Sequence, residues 1–193
     1  MKPLPFRLAA AALWCALIAI TVFTAPPGSA ETGDLITRMV TGKLEGVNLS
    51  LFALFNLMGV WPAAMAVALR GDAPWWKWPF IALSFGVGAF ALLPYIILRP
   101  WLVPPAEDTS FIARLLSSIW MRRALMLAVF CFGTLFFLGG LAEFAHLFRT
   151  QQFPYVMSFD FFAFCGAAAL LAAERQLTSR AHFIPSPFGK GSG

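Results

Sequence analysis

Charge is scarce in this chain. Only 12% of its 193 residues are Asp, Glu, Lys or Arg, 60% are hydrophobic, and the mean hydropathy is +0.76. That balance excludes a water-soluble globular domain, which carries about twice this share of charge. Cysteine is also sparse: Cys15, Cys131 and Cys165 each fall within an apolar stretch. They read as small hydrophobic side chains rather than as a disulfide framework or a zinc site, and no metal centre is expected. Three catalytic signatures are missing: an HExxH motif, a second intramembrane aspartate for an aspartyl dyad, and a pair of span-embedded histidines for a bis-His haem. With no nucleophile and base to pair, the chain reads as a non-catalytic protein, not an enzyme. The net charge of +5 is scattered beside apolar segments instead of concentrated on one polar element. Membrane lipid is therefore the expected partner, and nucleic acid is not.

What is present is a series of long apolar runs: Leu8 to Ala25, Leu49 to Leu69, Pro79 to Leu98, Ala124 to Ala142 and Phe153 to Ala173. Each approaches the roughly 20 residues that a helix needs to cross the hydrocarbon core. The expected fold is an all-α membrane protein, a bundle of five transmembrane helices with short interfacial helices. The number falls to four if the first segment is a cleaved signal, a reading that Lys2, Arg7 and the small residues Gly28, Ser29 and Ala30 also fit. Residues 1–30 then form that first segment and a Pro-rich turn, 31–176 the bundle, and 177–193 a flexible tail. Interfacial helices are expected in Leu35 to Gly46 and Ser110 to Arg123, where apolar residues recur at helical spacing. Five crossings would put the Glu31–Asn48 loop, the Arg99–Arg123 loop and the tail on one side. That side would hold most of the arginines and so face the cytoplasm or its plastid equivalent. In the Ala73–Pro79 turn, three tryptophans and Lys77 read as interface anchors.

Polar residues inside these runs are few, and Asp160 is the most informative, because an ionisable group at that depth needs a reason. Counting 1.5 Å per residue puts Asp160, Ser84 and Thr134 at about the same depth, a candidate intramembrane polar layer. The same count separates Asn56 from Asp160 and brings it level with Tyr95, a second expected contact. At such a depth a neutral acid that donates a hydrogen bond is the expected form of Asp160. Pro62 and Pro94 should kink their helices, and the Ser84–Gly88 spacing suggests close helix packing. His146, in EFAHLF, could ligate a pigment magnesium or a haem from the membrane edge, although a lone histidine there also fits an interfacial side chain.

Three strings carry a family likeness: LFALFNLMGVWPAAMA (Leu51–Ala66), SFGVGAFALLPYIILRP (Ser84–Pro100) and FPYVMSFDFFAF (Phe153–Phe164). Through them the chain, from about Gly42 to Arg175, resembles a family of small multi-spanning membrane proteins of cyanobacteria and plastids, of unknown function. The resemblance implies a thylakoid or cytoplasmic membrane in a photosynthetic organism and favours keeping the first segment as a span. It implies no catalytic residue. Two functions follow as expectations: an accessory or assembly subunit of a photosynthetic membrane complex, with chlorophyll or carotenoid as the candidate cofactor, or a small transporter or proton-coupled channel using Asp160.

Overall fold

The structure, a computed structural model, describes residues 4–70, 72, 76–99, 114–116 and 118–183, with side chains as far as 178. All regular structure among them is helical. The helices are α1 (Leu4–Phe23), α2 (Thr32–Thr41), α3 (Leu49–Ala68), α4 (Lys77–Val87), α5 (Ala89–Leu98), α6 (Ile119–Leu138), α7 (Leu141–Thr150) and α8 (Gln152–Phe183). Helices α1, α3, α6 and α8 are long and apolar enough to cross a membrane. The chain is thus an all-α membrane bundle, and the first apolar segment is part of it. Ala10 and Leu17 of α1 are buried, and Thr24 at its end exchanges a hydrogen bond with Tyr155 of α8.

The third apolar segment departs from the expected straight span. It breaks at Gly88, whose φ of 66° and ψ of −144° lie in a region open in practice only to glycine. Along one continuous helix, residues 76 and 95 would stand ~28 Å apart, yet the Trp76 and Tyr95 rings are 4.9 Å apart between centroids. Phe80 also lies 6.0 Å from Tyr95. Helices α4 and α5 therefore form a hairpin that enters the bundle and returns to the side it came from. With 11 and 10 residues, each arm reaches ~15 Å, about half of the hydrocarbon core.

The expected proline kink is not what breaks this segment, because α5 runs on through Pro94. Proline lacks the N–H that would bond the carbonyl four residues back, here that of Phe90. The indole N–H of Trp14 fills the gap, donating to the Phe90 carbonyl at 3.3 Å. One absent backbone donor thus helps to seat α1 against the hairpin.

Because the hairpin does not cross, the sides after it are reversed from the five-span expectation. Helix α1 runs from one side, here called the base, to the far side; α3 returns, α6 goes out again, and α8 comes back. The hairpin mouth lies at the base, where Arg99 meets Glu174 of α8 and Arg175 donates to the carbonyl of Ala68 at the end of α3. Arg70, Lys77, Arg99, Arg122, Arg123 and Arg175 all collect on the base side, while the far-side segments 24–48 and 139–151 carry Arg38, Lys43 and Arg149. Arg99, Arg122 and Arg123 thus share a side with Arg70, not with the Glu31–Asn48 loop. Single cysteines at Arg70 and Arg122, in a background free of native cysteine, should be labelled by a membrane-impermeant maleimide from the same face, and one at Lys43 from the opposite face. Labelling of positions 70 and 122 from opposite faces would rule out the hairpin.

The far side is held by hydrogen bonds at helix ends. The Asn48 side chain accepts from Leu51 N–H to cap α3, while its amide donates to the Gly140 carbonyl and to Glu143. Ser50 donates to the Phe136 carbonyl at 2.7 Å, one of the orphan acceptors at the end of α6. Helices α3 and α6 touch backbone to backbone there: a Cβ on Gly139 would stand 2.6 Å from the carbonyl carbon of Leu49. A residue with no side chain lets the two backbones approach this closely. Helix α2 fits its expected place as a short helix in the far-side loop. Of the second expected interfacial helix, Arg114–Leu116 is helical, Ile119–Arg123 belongs to α6, and the residues before Arg114 lie outside those described. The tail expected from residue 177 is helical through Phe183, and 184–193 lie outside the described residues.

Candidate functional site

The hairpin tip meets α8 at Asp160. The first N–H groups of any helix lack intrahelical acceptors, and a side chain at the preceding position commonly caps them. In α5 that position is Gly88, which has no side chain, so the cap comes from another helix. Asp160 Oδ1 accepts from Ala89 N–H at 2.8 Å, and the Phe90 N–H is directed at the same carboxylate. The carboxylate occupies the space that a Gly88 Cβ would need, with Oδ1 2.8 Å from that position. Asp160 is 5% exposed, and its Oδ1 is an acceptor, in a bond that an acid protonated on its other oxygen makes as well. Two N–H groups at the positive end of a helix favour a carboxylate facing them.

Beside this contact lies a cleft of about 730 Å³, bounded by α3, the hairpin tip, α6 and α8. Asp160, Gly88, Ser84 and Asn56 reach it, and its walls are mostly aromatic and aliphatic. Ile36 and Phe153 line it too, which carries it towards the far side. A further cavity of about 540 Å³ between α3, α6, α7 and α8 is almost wholly apolar, lined by Trp61, Phe136, Phe144, Phe148 and Phe161 among others.

Only part of the expected polar layer assembles. Ser84 and Asp160 share the cleft, although the Ser84 hydroxyl donates to the Ile81 carbonyl on its own helix. Thr134 is exposed on α6 and lines neither cavity: depth was legible from residue counting, but rotation about the helix axis was not. The expected Asn56–Tyr95 contact is absent, because α5 descends where a straight span would have ascended. Asn56 donates to the Phe52 carbonyl, and it shares the cleft with Asp160 without a hydrogen bond between them. Tyr95 lies at the base and donates to Asp72 Oδ2 at 2.6 Å. His146 is exposed on α7 and lines neither cavity. Among the described residues no group of His, Cys, Asp and Glu could hold a metal ion.

The base holds a network that residue counting did not reveal. Arg99 grips Asp72 with two hydrogen bonds, at 2.8 and 2.9 Å, and Glu174 with a third at 2.7 Å. Arg99 and Glu174 are buried, as a charge can be only when paired and fully hydrogen-bonded. The guanidinium fork suits such a two-sided clamp. Lys77, expected as a surface anchor, is instead 3% exposed and donates to the carbonyls of Arg70 and Asp72. Its burial follows from the hairpin, which folds the Trp76–Lys77 turn back over the end of α5. The network ties the turn before α4, the end of α5 and the last turns of α8 into one plug. Its signal in the sequence was three charges at the ends of apolar runs, Asp72, Arg99 and Glu174, two of them acidic and one basic.

Comparison of the chain with protein-family models, with curated proteins and with solved structures finds no match.

Proposed function

We propose that this protein is a small membrane transporter whose substrate site is the cleft at the tip of the α4–α5 hairpin, with Asp160 as its charged group. One observation carries this reading: an interrupted, re-entrant helix pair ends at a buried carboxylate on the floor of a cleft near mid-membrane. Broken helices at that depth are tolerated where they line a cavity, and in transporters they form the binding site. Ile36 and Phe153 carry the cleft lining towards the far side, and the network around Arg99 ties the base together, the asymmetry that one state of an alternating-access cycle requires. The base, rich in arginine, is the cytoplasmic side. The resemblance of the three strings to a cyanobacterial and plastid family is the ground for placing the protein in a thylakoid or cytoplasmic membrane of a photosynthetic organism.

The test is charge movement across proteoliposomes on a solid-supported membrane, driven by gradients of inorganic cations, amines and neutral solutes. The wild-type protein should give a solute-dependent current. Asp160→Asn, which keeps an oxygen to accept from Ala89 N–H, should fold and fall silent. A folded Asp160→Asn variant with full current would remove the reading.

The bare surface of α6 favours a second function, that of an accessory or assembly subunit of a photosynthetic complex. No residue of α6 is buried, and Trp120, Phe130, Phe137 and Leu138 are exposed. A neighbouring subunit or a pigment such as a carotenoid would lie against that face. Purification from native membrane in mild detergent, followed by mass spectrometry and an absorption spectrum, decides this. Absence of both a co-purifying subunit and a pigment band counts against it.

A further inference from the structure

We infer that the cleft at the hairpin tip binds lipophilic organic cations: amines or quaternary centres carried on an apolar body. The inference rests on the transporter reading for the identity of the site and adds the chemistry of its substrate.

Three features of the cleft argue for this class. Among the described residues its one charged lining residue is Asp160, and no Lys, Arg or His lines it. A bound anion would face the carboxylate with no counter-charge, so anions are excluded. Its volume of about 730 Å³ is that of a site for a drug-sized molecule. A bare inorganic cation needs a shell of about six or more oxygen ligands, whereas the side-chain oxygens here come from Asp160, Asn56 and Ser84, and Ser84 and Asp160 already make bonds within the protein. Finally, the walls supply what an organic cation takes up in place of water. Phe55, Phe85, Phe90, Phe132 and Phe153 line the cleft, and aromatic faces attract cations most strongly when water is excluded. Met58 and Met157 also line it, and their flexible thioethers adapt to irregular apolar shapes. The Asp160 carboxylate keeps one oxygen on Ala89 N–H, which fixes its position in the cleft lining.

The test uses the full chain in lipid nanodiscs and radiolabelled tetraphenylphosphonium, with binding to empty nanodiscs subtracted. Saturable binding is expected, together with at least a tenfold loss of affinity in Asp160→Asn. Gly59→Phe supplies a variant independent of the cap. Gly59 lines the cleft, and an added Cβ there meets nothing within 4 Å, so the ring should fill the cavity and abolish binding without disturbing the fold. If Asp160→Asn fails to fold, Gly59→Phe decides the matter. Tetraphenylborate, of the same shape and opposite charge, should not compete. Equal competition by tetraphenylborate, unaltered binding in both variants, or no saturable binding in the wild type would each overturn the inference. The transporter reading fails separately. Asp160-dependent binding without counterflow in proteoliposomes refutes transport but keeps the cation site. A solute-driven, Asp160-dependent current that tetraphenylphosphonium does not inhibit keeps transport and refutes the substrate class.

Discussion

Replacing Gly88 with alanine should destroy the α4–α5 hairpin. Two penalties act at this one residue. A φ of 66° with ψ of −144° costs a residue with a side chain about 1–3 kcal/mol in backbone strain alone. The methyl group would also fall on the Asp160 carboxylate; moving that side chain away unpairs the Ala89 and Phe90 N–H groups, at about 1–3 kcal/mol for each donor left buried and unsatisfied. The variant should be lost from the folded fraction in a detergent unfolding titration, or unfold at several kcal/mol less. Combining Gly88→Ala with Asp160→Ala separates the two penalties. The double variant escapes the clash but keeps the backbone strain and the bare N–H groups, so its destabilisation should be smaller than the sum of the two single effects. A Gly88→Ala protein with wild-type unfolding would mean that the tip is not built as described.

The second large effect is expected at Arg99. Arg99→Met keeps the length and apolar stem of the side chain but removes the guanidinium that holds Asp72 and Glu174 with three hydrogen bonds. Removing one member of a buried ion pair typically costs about 3–5 kcal/mol, mainly because the partners stay buried and uncompensated. Arg99→Lys should recover only part of this, since an ammonium cannot hold Asp72 with two parallel bonds and reach Glu174 as well. The triple change Arg99→Met, Asp72→Asn, Glu174→Gln removes the stranded charges along with their counter-ion and should unfold later than Arg99→Met alone. If Arg99→Met unfolds like the wild type, the plug at the base is not a structural element. A transporter should feel the same change in another way: once the plug is weakened, the base opens more often, so solute should leak even through protein that is still folded.

Much of the bundle could be read from hydropathy, because length and apolar content decide whether a segment stays in lipid. The third segment shows the limit of that reading. A run of some 20 apolar residues is equally at home crossing the membrane or folding back within it, since lipid meets the same side chains in both arrangements. What selects the hairpin is a backbone conformation at Gly88 and a cap from a helix 70 residues away in sequence, and neither is a property of the segment itself. Asp160 was conspicuous because charge in lipid is rare. Its partners were not, because every non-proline residue offers a backbone N–H and no pattern marks the two that matter. A straight third span would carry Tyr95 to the level of Asn56 instead of to Asp72, and Arg99 to the far side. Thr134 failed for a different reason: depth follows from counting residues, but helix rotation follows from which neighbours are present.

The short reach of the hairpin also decides where the membrane voltage acts. An elementary charge crossing the whole bilayer at 100 mV gains or loses about 2.3 kcal/mol. In the proposed transporter the cleft would open the Asp160 level to the polar medium of the far side, so little of the voltage would fall there. Most of it is focused across the ~15 Å of packed protein between the tip and the Arg99 plug. A cation carried by such a transporter would do almost no electrical work in reaching Asp160 from the far side, and the driving force of the membrane would be applied when it leaves through the base.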